Sequence, residues 1–374
     1  MKKKRIYADH SATTPLMPEA LEAMLPFLKE DFGNPSSLHG WSKPARRAVD
    51  DARAAIARCI NAEPEEVFFT SGGTEADNWA IKGSSGALMV SAYEHHAVLN
   101  AVASEVRRGR RVAYAQPNPG GDLTPAMLAR EWKGKFGLVS VMAANNEIGT
   151  VNPVGGLAEL AHGSGALFHT DAVQAVGHIP MDVKGMGVDL LSASAHKFNG
   201  PKGIGFLFVR KGVGLEPIIH GGQQEGGMRA GTENVASIVG MATALQMNCE
   251  RMEENANRLR ELTVRLREGI SGICGDVVFP GEGKQLPGFT SVAFPGCSGE
   301  GLMHMLDLKG IAVSTGAACD SKNTQISHVL KAIGLPLEIA KSTIRISLGL
   351  NNAPSDVDAI LVALKAILKP SGIR

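Results

Sequence analysis

The hydrophobic positions form short runs that alternate with longer amphipathic stretches through the first two thirds of the chain. Apolar runs bounded by turn residues predict seven β-strands, at 67–70, 87–91, 112–115, 138–143, 166–169, 190–192 and 205–209. Apolar residues at helical spacing predict helices between several of these strands, at 95–108, 124–132 and 154–162. Alternation at this spacing predicts an α/β domain with a mostly parallel sheet.

The last third of the chain has a different pattern. A long, polar, helix-favouring stretch at 234–272 is followed by PGFTSVAFPG, the helix-like GEGLMHMLDLKG and TIRISLGL. A final helix is predicted at 356–368, after a Pro-Ser-Asp start signal. We therefore expect a large domain at 15–250 and a smaller α+β domain formed by 1–14 and 251–374.

Composition narrows the classes of function. The 374 residues are 44% hydrophobic and 20% charged, with a formal net charge of +1, which is typical of a soluble globular protein. A charge near zero gives no electrostatic reason to expect nucleic acid or a membrane surface as a partner. The basic start MKKKRIYADH leads into no apolar signal segment, and no apolar run reaches the roughly 20 residues of a membrane helix. We expect a cytoplasmic protein.

The cysteines predict neither a metal site nor a disulfide framework. Five are present, at 59, 249, 274, 297 and 319, an odd number without a CxxC pair. Isolated cysteines of this kind in a reduced compartment are most often buried among apolar groups.

The first candidate ligand site is TSGGT at 70–74, where a strand leads into a helix. Glycines let backbone amides approach an anion, a helix N-terminus favours negative charge, and Thr74 adds a hydroxyl donor. These features describe a phosphate cradle, although the same residues also form a plain turn with a helix cap. It is not a Walker loop, because the Gly-Lys-Ser/Thr element is absent.

Three further strand ends carry polar groups. His95, in EHH at 94–96, can stack on an aromatic ligand or move protons, or it can simply cap the helix that follows. Asn146, in NNE at 145–147, can orient a ligand or form a turn. Asp171 and Gln174 follow another apolar strand, and a carboxylate is costly to bury there unless it meets a cation or metal. A protonated ring nitrogen is a suitable partner.

The segment SASAHKFNGPKGIG at 192–205 surrounds Lys197 with small residues. Alone, such a segment is more often a tight turn with a solvated amine; the other reading is an amine held against a flat cofactor. Together the strand ends offer a phosphate cradle, a stacking imidazole, a carboxylate for a ring nitrogen and a lysine. Pyridoxal phosphate requires this set, because it has an aldehyde, a pyridine ring and a phosphate.

The sequence closely resembles the cysteine desulfurases of the NifS/IscS type, in the class V aminotransferase group of fold-type-I pyridoxal phosphate enzymes. The resemblance extends over nearly the whole chain. It is carried, in order, by YADHSATTP, FGNPSSLHG, TSGGTEADN, EHHAV, NNEIGT, HTDAVQ, SAHK, MRAGTEN, VSTGAACDS and STIRISLGL. It implies a homodimer that converts L-cysteine to L-alanine and transfers the sulfur to an enzyme cysteine as a persulfide.

The resemblance also implies roles for individual residues. Lys197 would bind the cofactor aldehyde and take the Cα proton, Asp171 would pair with the pyridinium nitrogen, and His95 would stack on the ring and help move protons. Arg345 would bind the substrate carboxylate, a task that suits a guanidinium, with Asn34 assisting. The remaining cofactor contacts implied are ring bonds from Asn146 and Gln174, and phosphate bonds from Gly73, Thr74, Ser194, His196 and, across the dimer, Thr232.

Cys319 would receive the substrate sulfur. Its loop, 314–327, is rich in small and polar residues, and its length matches the family branch that passes sulfur directly to protein partners. We expect an acceptor or iron–sulfur scaffold protein as partner and regard Cys319 as a potential ligand of a transferred cluster. Asp320 follows where serine is commoner, and its carboxylate is expected to raise the pKa of the thiol unless a lysine such as Lys322 offsets it.

Two other positions depart from the family pattern, and two other functions stay open. His10 stands where asparagine is usual, and Gly226 where arginine is frequent. The departures bear on partner choice and rate more than on reaction type. A pyridoxal phosphate transaminase or lyase, including a selenocysteine lyase, is an alternative in which Cys319 has no role. An inactive scaffold for sulfur-trafficking partners is the other.

Overall fold

The computed structural model describes residues 5–315 and 326–368. Within them, the strands are β1 Ile6–Tyr7, β2 Val67–Thr70, β3 Leu88–Ser91, β4 Val112–Ala115, β5 Leu138–Ser140, β6 Leu167–Asp171, β7 Leu190–Ser194, β8 Gly205–Val209, β9 Phe289–Ala293, β10 Ile311–Ala312 and β11 Thr343–Ser347. The α-helices are α1 Pro18–Lys29, α2 Lys43–Cys59, α3 Gly73–Gly83, α4 His96–Arg107, α5 Pro125–Arg130, α6 Val154–Gly163, α7 Val235–Glu250, α8 Met252–Ile273, α9 Gly299–Leu308, α10 His328–Ala332, α11 Leu337–Lys341 and α12 Pro354–Leu368.

The predicted seven-stranded sheet is confirmed. Its strand order is β2-β8-β7-β6-β5-β3-β4, and only β8 runs antiparallel to its neighbours. Most strand residues are buried and apolar because helices cover both faces of a parallel sheet, although β6 and β7 also bury polar residues such as His169 and Ser192. The carboxyl ends of β5, β6 and β7 therefore meet at one edge, where ligands of such folds bind.

A second hydrophobic core joins the start of the chain to its last third. Strand β1 pairs with β10, and β9 pairs with β11. Ile6 and Ala8 pack with apolar residues of α8, α9, α12 and these strands. The core contains side chains from 6–8 and 259–364, in line with the predicted smaller domain. The boundaries at 14/15 and 250/251 stay a prediction.

Several element boundaries differ from the sequence prediction. Strand β5 ends at Ser140 instead of 143, although the backbone of Val141 and Ala143 still bonds to the β6 chain. The stretch at 234–272 forms two helices, because Arg251 leaves helical geometry between α7 and α8. Its first half is also less polar than expected, since α7 buries apolar residues on the main core.

Two expectations from composition can be compared with the structure. In the part of the chain that the structure describes, no helix combines the length and apolar character needed to cross a membrane. The expectation that the isolated cysteines are buried is wrong for the four described ones, Cys59, Cys249, Cys274 and Cys297. Each is a partly exposed free thiol.

Candidate active site

A cavity of about 710 Å³ lies at the carboxyl ends of β5, β6 and β7. Strand ends, the N-termini of two helices and a residue of the smaller core line it together. Ten of the residues singled out from the sequence are in its wall: Gly73, Thr74, His95, Asn146, Asp171, Gln174, Ser194, His196, Lys197 and Arg345. The position agrees with the general rule for ligand sites in open α/β sheets.

One end of the cavity is built to receive an anion. Residues 71–74 line it where α3 begins, and helix N-termini present free backbone N–H groups and a partial positive charge. Gly73 is required there, because a Cβ at this position would lie 2.6 Å from Val173 Cγ2. Ser194 and His196 line the same cavity and add side-chain donors. Burial, together with Lys197 and Lys202, lowers the pKa of His196 to about 4, so its ring is neutral.

A carboxylate also stands at this end of the cavity, and it is neutralised by an arginine. Glu75 accepts hydrogen bonds from Arg229 Nε at 2.9 Å and Nη2 at 3.1 Å. Glu75 accepts a third hydrogen bond from the backbone N–H of Ser71, 2.7 Å away. Because the guanidinium offsets the charge, Glu75 does not repel an anion at the helix terminus.

Deeper in the cavity, Asp171 and His95 lie close together. Asp171 is the last residue of β6, and its Oδ1 accepts from the backbone N–H of Val173 at 2.9 Å. Burial raises the pKa of Asp171 to about 6. His95 caps α4, and burial, followed by the charge of Lys197, lowers its pKa to about 4. A neutral imidazole beside a carboxylate suits a flat, cationic ring.

Lys197 extends from the turn that follows β7. Its Nζ donates to the carbonyl oxygens of Ser11 at 2.5 Å and Ala12 at 2.9 Å. Gln174 Nε2 donates to the same Ser11 oxygen at 2.9 Å. The small residues around Lys197 have a packing reason: a Cβ on Gly200 would lie 2.8 Å from the Cβ of Ala195. The bare turn thus folds tightly and brings the amine to the cavity wall.

Arg345 forms another part of the cavity wall. It lies on β11 with a side chain 5% exposed, and its Nη2 forms an ion pair with Asp9 Oδ1 at 2.8 Å. Its Nη1 donates to the carbonyl oxygen of Asn146 at 2.7 Å. Among the described residues, the buried Nε has no hydrogen-bond partner. The guanidinium is therefore oriented on one side and has a donor left for a carboxylate.

Three predicted residues are not in the cavity wall that the structure describes. Asn34 is exposed, and its Oδ1 accepts from the backbone N–H of Ser36 at 2.9 Å. Thr232 is exposed and lies outside this cavity. Cys319, with Asp320 and Lys322, falls outside the described residues, and the chain after that gap lines the cavity at Ile326.

The structure describes two of the positions that depart from the family pattern, His10 and Gly226. His10 is buried, with its Nδ1 3.1 Å from the carbonyl oxygen of Ser347. It packs so closely on Gly349 that a Cβ there would lie 2.2 Å from the His10 ring. Gly226 has a φ of +66°, in the left-handed region that glycine tolerates and an arginine does not adopt without strain.

Sequence reasoning missed several acidic residues of the site. Asp77 lines the cavity from α3, and Glu147 lines it next to Asn146 in the chain. Glu94 is fully buried, and burial raises its pKa to about 8. Burial likewise raises the pKa of Glu147 to about 7, against the opposing effects of its hydrogen bond from Ser327 and the charge of Arg345. Asp77 alone had a signal, because it is in helical register with the buried face of α3.

Comparisons with known proteins agree on the family. The model of the class-V aminotransferase family matches residues 6–360. A protein named cysteine desulfurase IscS from Clostridium botulinum is 45% identical over 376 aligned residues, covering 98% of this chain and 95% of that protein. Another IscS, from Methanosarcina thermophila, is 44% identical and covers 98% and 92%.

Solved structures give the same picture. A NifS-like protein superposes with a TM-score of 0.91 at 37% identity and covers 98% of this chain and 99% of its own. A structure described as SspA in complex with cysteine has a TM-score of 0.83 at 32% identity and covers 94% and 100%. The chain belongs to the class-V aminotransferase family, among its cysteine desulfurases.

Proposed function

We propose that this cysteine desulfurase binds pyridoxal phosphate on Lys197, converts L-cysteine to L-alanine and transfers the sulfur to Cys319 as a persulfide. The observation that carries the proposal is the convergence of an anion cradle, a buried carboxylate, a neutral imidazole, a lysine amine and an arginine on one cavity. The family membership supports the choice of reaction.

The residues present fit pyridoxal phosphate. Gly73 has no side chain at the start of α3, so backbone amides can approach a phosphate closely, and a Cβ there would collide with Val173. Asp171 is buried, and no arginine among the described residues pairs with it, a costly arrangement unless a cation arrives. Lys197 lines the same cavity. When bound, the cofactor supplies an aldehyde for the lysine and a ring that accepts the electron pair left by the Cα proton.

The residues of the chain then have separate tasks. Arg345 binds the substrate carboxylate through the fork that Asp9 and Asn146 hold in place. Lys197 Nζ takes the Cα proton, since its amine lines the cavity beside the ring site. His95, neutral because of burial, stacks on the ring and accepts or returns a proton at its nitrogen. Asp171 holds a positive charge on the ring nitrogen.

Cys319 carries the sulfur step in this proposal. Its thiolate attacks the substrate sulfur, a bond forms between the two sulfur atoms, and the substrate carbon–sulfur bond breaks with its electron pair going to carbon. Protonation of that carbon gives alanine. We infer from the family resemblance that the persulfide sulfur then passes to an acceptor or iron–sulfur scaffold protein. A cytoplasmic location stays a prediction from composition.

We infer that the chain acts as a homodimer. Large apolar side chains are exposed along α1 and the segment after it: Phe32 is 70% exposed, Leu38 94% and Trp41 69%. Exposed apolar groups concentrated in one segment are typical of a protein interface. A dimer would also give Thr232 its role, contact with the partner's cofactor phosphate, and would place Asn34 near an interface. Gel filtration with light scattering tests this part separately.

The deciding experiment incubates the purified protein with L-cysteine and follows two products. We expect alanine to form without a keto-acid acceptor, and mass spectrometry to locate the extra sulfur on the peptide containing Cys319. A transaminase would need the keto acid, and a scaffold would form no alanine.

Matched variants isolate the sulfur acceptor. Cys319→Ala should keep the visible absorbance of the bound cofactor and lose persulfide formation. Cys297→Ala removes a partly exposed cysteine of the smaller core, and it should change neither the cofactor absorbance nor persulfide formation. Alanine production by the Cys319→Ala protein at the original rate would refute the assignment.

A further inference from the structure

Asp77 is a carboxyl group in the cavity wall to which the proposed reaction gives no task. It lies on α3, one turn after Gly73, and its side chain is 1% exposed. Its Oδ1 has no hydrogen-bond partner among the residues that the structure describes. A buried, unpartnered carboxyl oxygen costs free energy unless it meets a partner in the working protein.

A chain of neutral polar side chains continues from the carboxyl group of Asp77. Ser192 hydrogen-bonds to its side chain, and the Ser192 Oγ lies 3.0 Å from Nε2 of His169. The Nδ1 of His169 is 2.8 Å from Ser140 Oγ. Burial lowers the pKa of His169 to about 3, so this histidine carries no positive charge for Asp77, although its Nε2 is 3.7 Å from Oδ1.

The charged neighbours of Asp77 are mostly acidic. A carboxyl oxygen of Asp77, a carboxyl oxygen of Asp171 and a ring nitrogen of His95 all lie within 4.8 Å of one another. The ring of His95 is neutral. Glu94, from the loop after β3, adds a third buried carboxyl group. Burial and then the charge of Asp171 raise the pKa of Asp77 well above its usual range, while Lys197 opposes the rise at Asp171. Adjacent carboxyl groups in such a setting divide into one neutral acid and one anion.

We propose that Asp77 is a positioning residue that stays a neutral carboxylic acid and offers its proton to the Asp171 carboxylate, so that, among the described carboxyl groups at the ring-nitrogen end of the cavity, Asp171 carries the negative charge. The proposal rests on the proposed function, because a cationic ring nitrogen is what this anion serves. The Ser192–His169–Ser140 line fixes the orientation of the acid, and its neutrality leaves the charge on Asp171.

Two substitutions of similar size distinguish a neutral acid at position 77 from an anionic carboxylate and from a residue without a role in cofactor binding. Asp77→Asn keeps a neutral donor in the same place, and Asp77→Leu removes it. For the apoprotein we measure the dissociation constant of pyridoxal phosphate by ultrafiltration. For the loaded protein we measure the pH midpoint of the visible absorbance change, which reports the nitrogen joining Lys197 to the cofactor.

We expect Asp77→Asn to match the wild type in both measurements. Asp77→Leu should bind the cofactor roughly 10–100-fold more weakly, the usual loss for a buried hydrogen bond to a charged group. Its midpoint should rise, because Asp171 then takes a proton, the ring nitrogen loses its charge, and the joining nitrogen keeps its proton to higher pH. Ser192→Ala, which retains both carboxyl groups, should show a smaller change in the same direction.

Asp189→Asn is the matched control. Asp189 is a buried carboxylate that directly precedes β7, at the end of the strand away from the cavity. It pairs with His162 and Arg210. Its loss should lower thermal stability and leave both cofactor measurements unchanged.

Three results can be told apart. Weak binding by Asp77→Asn, equal to that of Asp77→Leu, would overturn the inference, since it would require an anionic Asp77. Unchanged values in both the Asp77→Leu and Ser192→Ala proteins would overturn it as well. A wild-type apoprotein that takes up no pyridoxal phosphate would refute the proposed function itself.

Discussion

The two walls of the cavity are built in different ways. The wall with Lys197, Asp171 and the α3 cradle comes from consecutive strand ends and a helix start of one sheet. The wall at Arg345 comes from the smaller core, where Arg345 forms an ion pair with Asp9, more than 300 positions away in the chain. The first wall is fixed by local chain geometry, and the second depends on how the two cores pack.

The difference extends to charge. Buried acids crowd the sheet wall, and burial raises the pKa of Asp171 and of Glu94. On the other wall Arg345 meets an acidic partner directly, in an ion pair at 2.8 Å. We infer that the sheet wall is arranged for a cationic ring and the other wall for an anionic substrate group. Variants of each wall test this division.

The largest effect is expected from Lys197→Ala. It removes the amine that binds the cofactor and takes the proton, so we expect alanine formation to fall by roughly 10³-fold or more. The visible absorbance of the bound cofactor should disappear as well. Spectroscopy and an alanine assay measure both. Lys202→Ala, at another lysine of the cavity wall, should retain the absorbance.

Arg345→Lys should affect the substrate wall alone. An ammonium cannot replace the fork that contacts Asp9 and Asn146, so we expect the KM for L-cysteine to rise roughly 10–100-fold. The cofactor spectrum should not change. The control is Arg265→Lys, in an exposed ion pair with Asp358. Loss of the spectrum in Arg345→Lys would mean that the walls are not independent.

Asp9→Asn should give a smaller effect of the same kind. It weakens the hold on Arg345 without removing the guanidinium, and we expect a rise in KM of about 5-fold. Steady-state kinetics measures it, with Asp358→Asn as the exposed equivalent. An unchanged KM would show that Asn146 alone orients the guanidinium.

Glu94→Gln should have the smallest effect, on stability. The folded carboxyl keeps its proton up to a pKa of about 8, whereas the ordinary value for a glutamate is 4.5. Unfolding therefore releases this proton between those values, and wild-type stability falls as pH rises through the window. Glutamine stays neutral and can accept the Ser91 and Met142 hydrogen bonds.

The measurement is the thermal midpoint of the apoprotein at two pH values. We expect Glu94→Gln to melt a few degrees above the wild type at pH 8 and equally at pH 4.5. The exposed Glu159→Gln should melt with the wild type at both. A lower midpoint at pH 8 would mean that the buried charge is compensated in the folded protein.

Much of the fold and of the sheet wall could be predicted from the sequence. Buried parallel strands are apolar runs, and their polar end residues, such as Asp171 and Asn146, must meet at one edge. The small residues around Lys197 also predicted close packing there. The partners of that amine, the carbonyl groups of Ser11 and Ala12, could not be predicted, because they come from a distant segment.

Other features depend on packing and have little local signal. The role of Arg345 came from family resemblance and not from its strand. The buried state of Glu94 depends on Ser91 and on the backbone after β5, which wrap its carboxyl group. Helical register marked Asp77 as buried, but its unpartnered oxygen appears only when β6 and β7 are packed on α3.

The most direct test of the central claim is chemical trapping of the cofactor. The protein loaded with pyridoxal phosphate is reduced with borohydride, digested and mapped by mass spectrometry. We predict one stable adduct, on the ε-amine of Lys197. An adduct on another lysine, or none, would contradict the account.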